Sequence, residues 1–167
     1  MTEIRLRLQP LTKESFSDFG EVIELDRNNE IIPINYGLTD RHHAQCTIDT
    51  NDHQGEAIVS LFYSRPVVLP FTIKVMERHP LGSQTFINMD DNPYIVVVAS
   101  AGVFDVSHLK AFLARPDQGV HYHKGTWHHY NLCLNKPTRF AVIDRRGPGN
   151  NCDEEYIPET IKLVVDE

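Results

Sequence analysis

The chain has 167 residues, enough for one domain (1–167) that buries roughly 70% of its unfolded surface without a disulfide or a metal. Its 16 Lys and Arg against 23 Asp and Glu give a net charge of −7, which argues against nucleic acid or an anionic membrane as partner. The opening MTEIRLRLQP lacks the apolar segment of a signal peptide, and no run approaches the ~18 apolar residues of a membrane span. Cys46, Cys133 and Cys152 are odd in number and form no CxxC pattern, so a reducing, cytoplasmic location is expected.

The first predicted element is a short helix over 12–19, with Thr12 as N-cap, Phe16 and Phe19 on one face and Gly20 as stop signal. The stretch 31–46 is too polar and interrupted for one regular element. It carries Arg41, His42 and His43, and such loops in β folds can bend toward a cavity mouth. Strands are predicted over 57–64, 67–79, 83–89 and 94–100 from their β-branched and aromatic content. A second short helix is predicted over 107–114, capped by Ser107 and closed by Pro116. Three more strands follow over 119–123, 127–135 and 139–145. Many short strands with one or two short helices predict a mainly β sandwich or barrel.

Strand parity then indicates where side chains point. In FTIKVMERH, one face holds Phe71, Ile73, Val75, Glu77 and His79. A carboxylate at the end of a buried stripe needs water, a partner or a metal, so this face either enters a polar cavity or reaches the protein's edge. In GVHYHKGTWHH, His121 and His123 share a face, Gly125 permits a tight turn, and His128 and His129 point opposite ways. Histidines in this density suit metal binding or acid–base chemistry.

These segments resemble the two motifs of a cupin. Residues 123–128, HKGTWH, resemble the form P-x-G-x-x-H with His123 in the proline position, and Glu77-Arg78-His79 followed by Gln84 resembles H-x-H-x(3,4)-E. The resemblance implies a cupin-like double-stranded β-barrel with a metal set of Glu77, His79, Gln84 and His128. Longer blocks (LTKESFSDFGEVIE, NYGLTDRHH, ERHPLGSQTFINM, GVHYHKGTWHH and FAVIDRRGPGNNCDE) resemble the ureidoglycolate lyase family from about Leu11 to Pro158. That resemblance implies cleavage of (S)-ureidoglycolate to glyoxylate and urea in allantoin and purine catabolism. It also implies a cytoplasmic homodimer, a divalent metal (nickel in the family) and no organic cofactor.

Such a cleavage needs a base, an acid for the leaving nitrogen and a cation for the substrate carboxylate. His123 or His128 is expected as base, with His121 nearby. Glu77 would orient an imidazole, bind the metal or protonate nitrogen. Arg65, Arg145 and Arg41 are the candidates for the carboxylate. Competing readings are a metal-dependent cupin oxygenase or isomerase, a non-catalytic small-molecule-binding domain, and an amidohydrolase that releases ammonia.

Overall fold

The computed structural model describes every residue from Met1 to Glu167. In chain order its strands are β1 (Thr2–Pro10), β2 (Gly20–Ile23), β3 (Ile31–Ile34), β4 (Thr39–His42), β5 (Glu56–Ser64), β6 (Phe71–Ile73), β7 (Val75–Arg78) and β8 (Gln84–Asn88). They continue as β9 (Tyr94–Ala99), β10 (Lys110–Ala114), β11 (Gly119–Tyr122), β12 (Trp127–His128), β13 (Leu132–Cys133), β14 (Thr138–Arg146), β15 (Asp153–Tyr156) and β16 (Ile161–Asp166). The larger sheet runs β15-β7-β12-β9-β10-β1-β16-β6, with β13 also on β9. The smaller runs β2-β11-β8-β14-β5, and β3 with β4 makes a separate hairpin.

β9 organises the packing. Its YIVVVA is buried at all six positions, and alternation sends its side chains to two cores. Tyr94, Val96 and Val98 join Phe86, Tyr122 and Phe140 between the two sheets, inside the curled barrel. Ile95, Val97 and Ala99 join Met76, Trp127 and Leu163 on the other side. Each fully buried Val, Leu, Ile or Phe contributes about 1.5–3 kcal/mol. Two such clusters hold the fold while all three cysteines stay free.

Neither predicted helix forms. Over 12–19 the chain makes successive turns, with Phe16 N–H donating to the Thr12 carbonyl (3.0 Å) and Phe19 N–H to the Phe16 carbonyl (2.9 Å). Ser15 and Ser17 hydroxyls bond to nearby carbonyls and compete with a helical ladder. Phe16 and Phe19 are buried in the barrel core, as a shared face required. The turns deliver Gly20 against β11 so closely that a Cβ there would lie 1.7 Å from the His121 carbonyl oxygen. In the second segment Asp105, not Ser107, caps a single 3-10 turn over Val106–His108. Lys110–Ala114 then pairs with both β9 and β1. Two flanking strands outweigh the local helical preference of LKAFLA.

The predicted strand 67–79 is divided at Lys74 into β6 and β7, and the break shifts the parity. Ile73 and Met76, three apart, pack into the same outer core. The apolar stripe and the Glu77–His79 pair therefore do not share one continuous face; Glu77 and His79 look into the barrel. The stretch 127–135 is likewise two short strands, β12 and β13.

Candidate active site

The ladder register places the key side chains. His128 on β12 stands opposite Val98, an inner-core residue of β9, and opposite Glu77 on β7. Both therefore face the barrel interior, and His79 follows two residues after Glu77. On the other sheet Gln84 stands opposite Tyr122, also an inner-core residue. The Tyr122 ring stacks on His128 with centroids 4.4 Å apart and planes 9° from parallel. Ligating atoms of Glu77, His79 and His128 lie within 4.8 Å of one another.

Hydrogen bonds behind these side chains fix which atoms face inward. A carbonyl only accepts, so His79 Nδ1 donates to the Asn151 carbonyl (2.7 Å) and His128 Nδ1 donates to the Thr126 carbonyl (3.2 Å). In the neutral rings each Nε2 is left as a bare lone pair. Gln84 Nε2 donates to Asp144 (3.1 Å), which turns its amide oxygen away. His79 Nε2, His128 Nε2 and Gln84 Oε1 are all buried without a hydrogen-bond partner. Glu77 Oε1 lies 3.4 Å from His128 Nε2, long for a hydrogen bond. Were His128 protonated, its Nε2–H would point at Glu77, and that contact lowers the Glu77 carboxyl from its usual range against the opposing effect of burial. Burial lowers the His79 pKa, which favours the neutral ring.

A cluster of inward acceptors without donors is costly unless something positive sits among them. Two imidazole nitrogens, a carboxylate and an amide oxygen fit a divalent transition-metal cation. Beside them opens a cavity of about 200 Å³ whose lining includes Glu77, Gln84, Arg65, Phe86, Tyr130 and Asn131. That is below the roughly 300–1,000 Å³ of sites for drug-sized ligands, and it suits a small metabolite.

Not all the sequence candidates meet here. Glu77, His79, Gln84 and His128 come together, and Arg65 lines the adjoining cavity. His121 and His123 alternate with the inner-core residues Val120 and Tyr122, so they project from the opposite face of β11. They cannot share a centre with His128. Arg145 also points out of the barrel. Its guanidinium donates to the carbonyls of Asp52, His53 and Pro148, at 2.9, 3.3 and 2.6 Å. With its donors taken by backbone, it is placed as a clamp on the 52–55 turn and not as a carboxylate ligand. Arg41 is exposed on the β3–β4 hairpin, outside the cavity lining. His129 is buried against Phe71, and burial holds its pKa down to about 4.

Three residues escaped the sequence reading. Asn131 lines the cavity with its Nδ2 buried and unpartnered, while its Oδ1 accepts from Tyr122 (3.3 Å). Asp144 orients Gln84, and Asn151 orients His79. Asp144 was within reach, since parity in FAVID puts it on the same face as Phe140 and Val142, both inner-core residues.

A curled two-sheet β fold that turns imidazoles, a carboxylate and an amide into its interior defines a cupin-like protein with a small acid–imidazole pocket. The ureidoglycolate lyase family model matches residues 3–164. A ureidoglycolate lyase from Pseudomonas entomophila (strain L48) is 46% identical over 161 residues, covering 96% of each chain. Another from Burkholderia mallei (strain NCTC 10229) is 46% identical over 96% of this chain and 94% of its own. A third, from Pseudomonas putida (strain W619), is 45% identical over 96% of both. The chain belongs to the ureidoglycolate lyase family.

Proposed function

We propose that this protein cleaves (S)-ureidoglycolate to glyoxylate and urea in the barrel cavity, where Glu77, His79, Gln84 and His128 hold a divalent cation. The observation that carries the reading is the pair of buried, unpartnered nitrogens His79 Nε2 and His128 Nε2 clustered with the Glu77 carboxylate, with the equally unpartnered Gln84 Oε1 on a residue of the same cavity lining. The names of the relatives supply the substrate.

Ureidoglycolate is a carbinolamide, with a hydroxyl, a ureido nitrogen and a carboxylate on one carbon. Cleavage moves the hydroxyl proton to the ureido nitrogen as the carbon–nitrogen bond breaks, and no water is consumed. A cation held by the four residues supplies Lewis acidity that lowers the hydroxyl pKa. Glu77 is ionised, and its two oxygens face different ways: Oε1 toward His128, Oε2 toward Cys152 at 3.9 Å. Oε2 is the atom we assign to take the hydroxyl proton and return it to the departing nitrogen. Arg65 at the cavity wall pairs with the substrate carboxylate, and Asn131 Nδ2 donates to the ureido carbonyl. Phe62, Val67 and Phe86 form the apolar part of the wall, and the lyase name of the relatives supports urea over ammonia as product.

We also infer a homodimer formed through β5. This strand ends the smaller sheet with one edge unpaired, and Val59, Leu61 and Tyr63 on it are 72%, 71% and 62% exposed. An antiparallel pair of identical edges closes on itself about a two-fold axis and removes an aggregation-prone edge. A cytosolic location goes with this reading, given three free cysteines.

The deciding experiment incubates the protein with ureidoglycolate, with and without chelator, and measures urea, ammonia and glyoxylate together. Equal urea and glyoxylate, abolished by chelation, is the expected result. Ammonia in place of urea overturns the lyase chemistry, and full activity after chelation overturns the cation.

A further inference from the structure

The pair of histidines that opens GVHYHKGTWHH is left outside the barrel chemistry, yet it is not idle surface. Glu21 on β2 stands directly opposite His121 on β11. Its Oε2 lies 2.9 Å from His123 Nε2 and 3.9 Å from His121 Nε2. That oxygen is buried and makes no hydrogen bond. No Lys or Arg compensates it: nearby Lys124 is already paired with Asp49 (3.2 Å) and Asp52 (2.7 Å). On the same wall His43 Nδ1 is also buried without a partner.

We propose that Glu21, His121 and His123 form a second site, on the outer face of the smaller sheet, that binds a divalent transition-metal cation. Two imidazoles at i and i+2 on one strand, with a carboxylate across the ladder, put three donors on one face of a rigid sheet. Two nitrogens and one oxygen suit zinc, nickel or cobalt. His121 is the fixed member, its side chain only 3% exposed and its Nδ1 hydrogen-bonded to the Thr85 hydroxyl (2.7 Å). His123 is the movable one, 48% exposed. The two ring centroids are 6.0 Å apart, wide for a shared ion, so the proposal requires the exposed His123 ring to turn toward His121 as the ion binds. All three residues line an open cleft of about 730 Å³ beside the segment Ala44–Asn51, room for water or a small ligand next to an ion. A bound ion ties β2 to β11 at that cleft.

The test is zinc titration by calorimetry on the full-length protein and on Glu21→Gln, His123→Gln and the double variant His79→Asn/His128→Asn. Wild type takes two equivalents. Glu21→Gln and His123→Gln, at partly exposed positions that leave the core untouched, each keep one equivalent and lose the other by at least about 100-fold in affinity, since losing a ligand costs more than losing its outer support. The double variant keeps the outer equivalent. If the barrel reading alone fails, wild type takes one equivalent that disappears in Glu21→Gln and His123→Gln but survives in the double variant. Zinc binding by Glu21→Gln and His123→Gln indistinguishable from wild type overturns the outer site.

Discussion

Asp144 decides which end of the Gln84 amide faces the cavity. Gln84 Nε2 donates to its carboxylate at 3.1 Å, so Gln84 Oε1 is the atom left bare. A neutral amide stands here where a cupin's first motif carries a carboxylate, and in the proposed cation site it would serve as an oxygen donor only while that bond holds. Outer-shell partners of this kind are worth about 10–100-fold in metal affinity. Asp144→Ala should weaken binding of the proposed barrel cation by that much in a chelator competition. Asp144→Asn can still accept from Gln84 through its own carbonyl and should fall between the two. Equal affinities for all three proteins would remove Asp144 from the account.

The separation of His128 from His123 gives a kinetic contrast. His128 is buried among the inward acceptors, whereas His123 projects from the other face of β11 beside Glu21. His128→Ala, which removes a proposed ligand of the cation, should lose at least about 10²-fold in turnover, since even an outer-shell loss costs about 10–100-fold. His123→Ala should keep near-normal turnover under the same conditions. Steady-state rates on both variants, with circular dichroism to show that each is folded, check this. A large loss in His123→Ala would move the reaction centre to the outer face.

Much of this arrangement was legible in the residues, and the failures have physical causes. The strands stood out where β-branched and aromatic residues run uninterrupted, as in YIVVVA, because nothing there competes with the sheet. The two helices were misread because both depend on partners far away in sequence. Lys110–Ala114 is held by β9 and β1, and the 12–19 turns are set by the approach of Gly20 to His121. Parity worked within a strand and failed across Lys74, where one irregular residue exchanged the faces. It worked again for His121 against Tyr122, but the sequence did not say which face of β11 was inside. The resemblance to the cupin motifs picked out Glu77, His79, Gln84 and His128 together. It could not show the bonds from Asn151, Thr126 and Asp144 that aim them.

Acid stability should carry the signature of Asp90. The Arg139 side chain, then its backbone N–H, holds the Asp90 carboxyl down to about 2 from 3.8. The native protein therefore binds fewer protons there than the unfolded chain as pH falls from about 4 to 2. The bond's contribution is complete above that window and lost below it. Because the pair is at the surface, its contribution is small and screened by salt. The melting temperature of wild type should exceed that of Asp90→Asn at neutral pH, and the gap should close on acidification to pH 2 and narrow in high salt. A gap that widens in acid would contradict the assignment.

Arg65 and Arg145 should divide substrate binding from stability. Arg145 is 8% exposed and gives its donors to three backbone carbonyls, so removing it breaks three charge-assisted bonds that hold the 52–55 turn and empties the buried place of its stem. Arg145→Ala should cost roughly 3 kcal/mol, which for a chain of this size lowers the melting temperature by about 6–12 °C. Arg145→Lys should recover little, since an ammonium cannot reproduce the fork across three carbonyls. The KM of folded Arg145→Ala should stay at the wild-type value. Arg65 is exposed and lines the cavity, so Arg65→Ala should leave the melting temperature unchanged. Its KM should rise at least about tenfold, the worth of one hydrogen bond to a charged carboxylate. Thermal melts and KM for the two alanine variants separate the roles, and a KM rise confined to Arg145→Ala would reverse them.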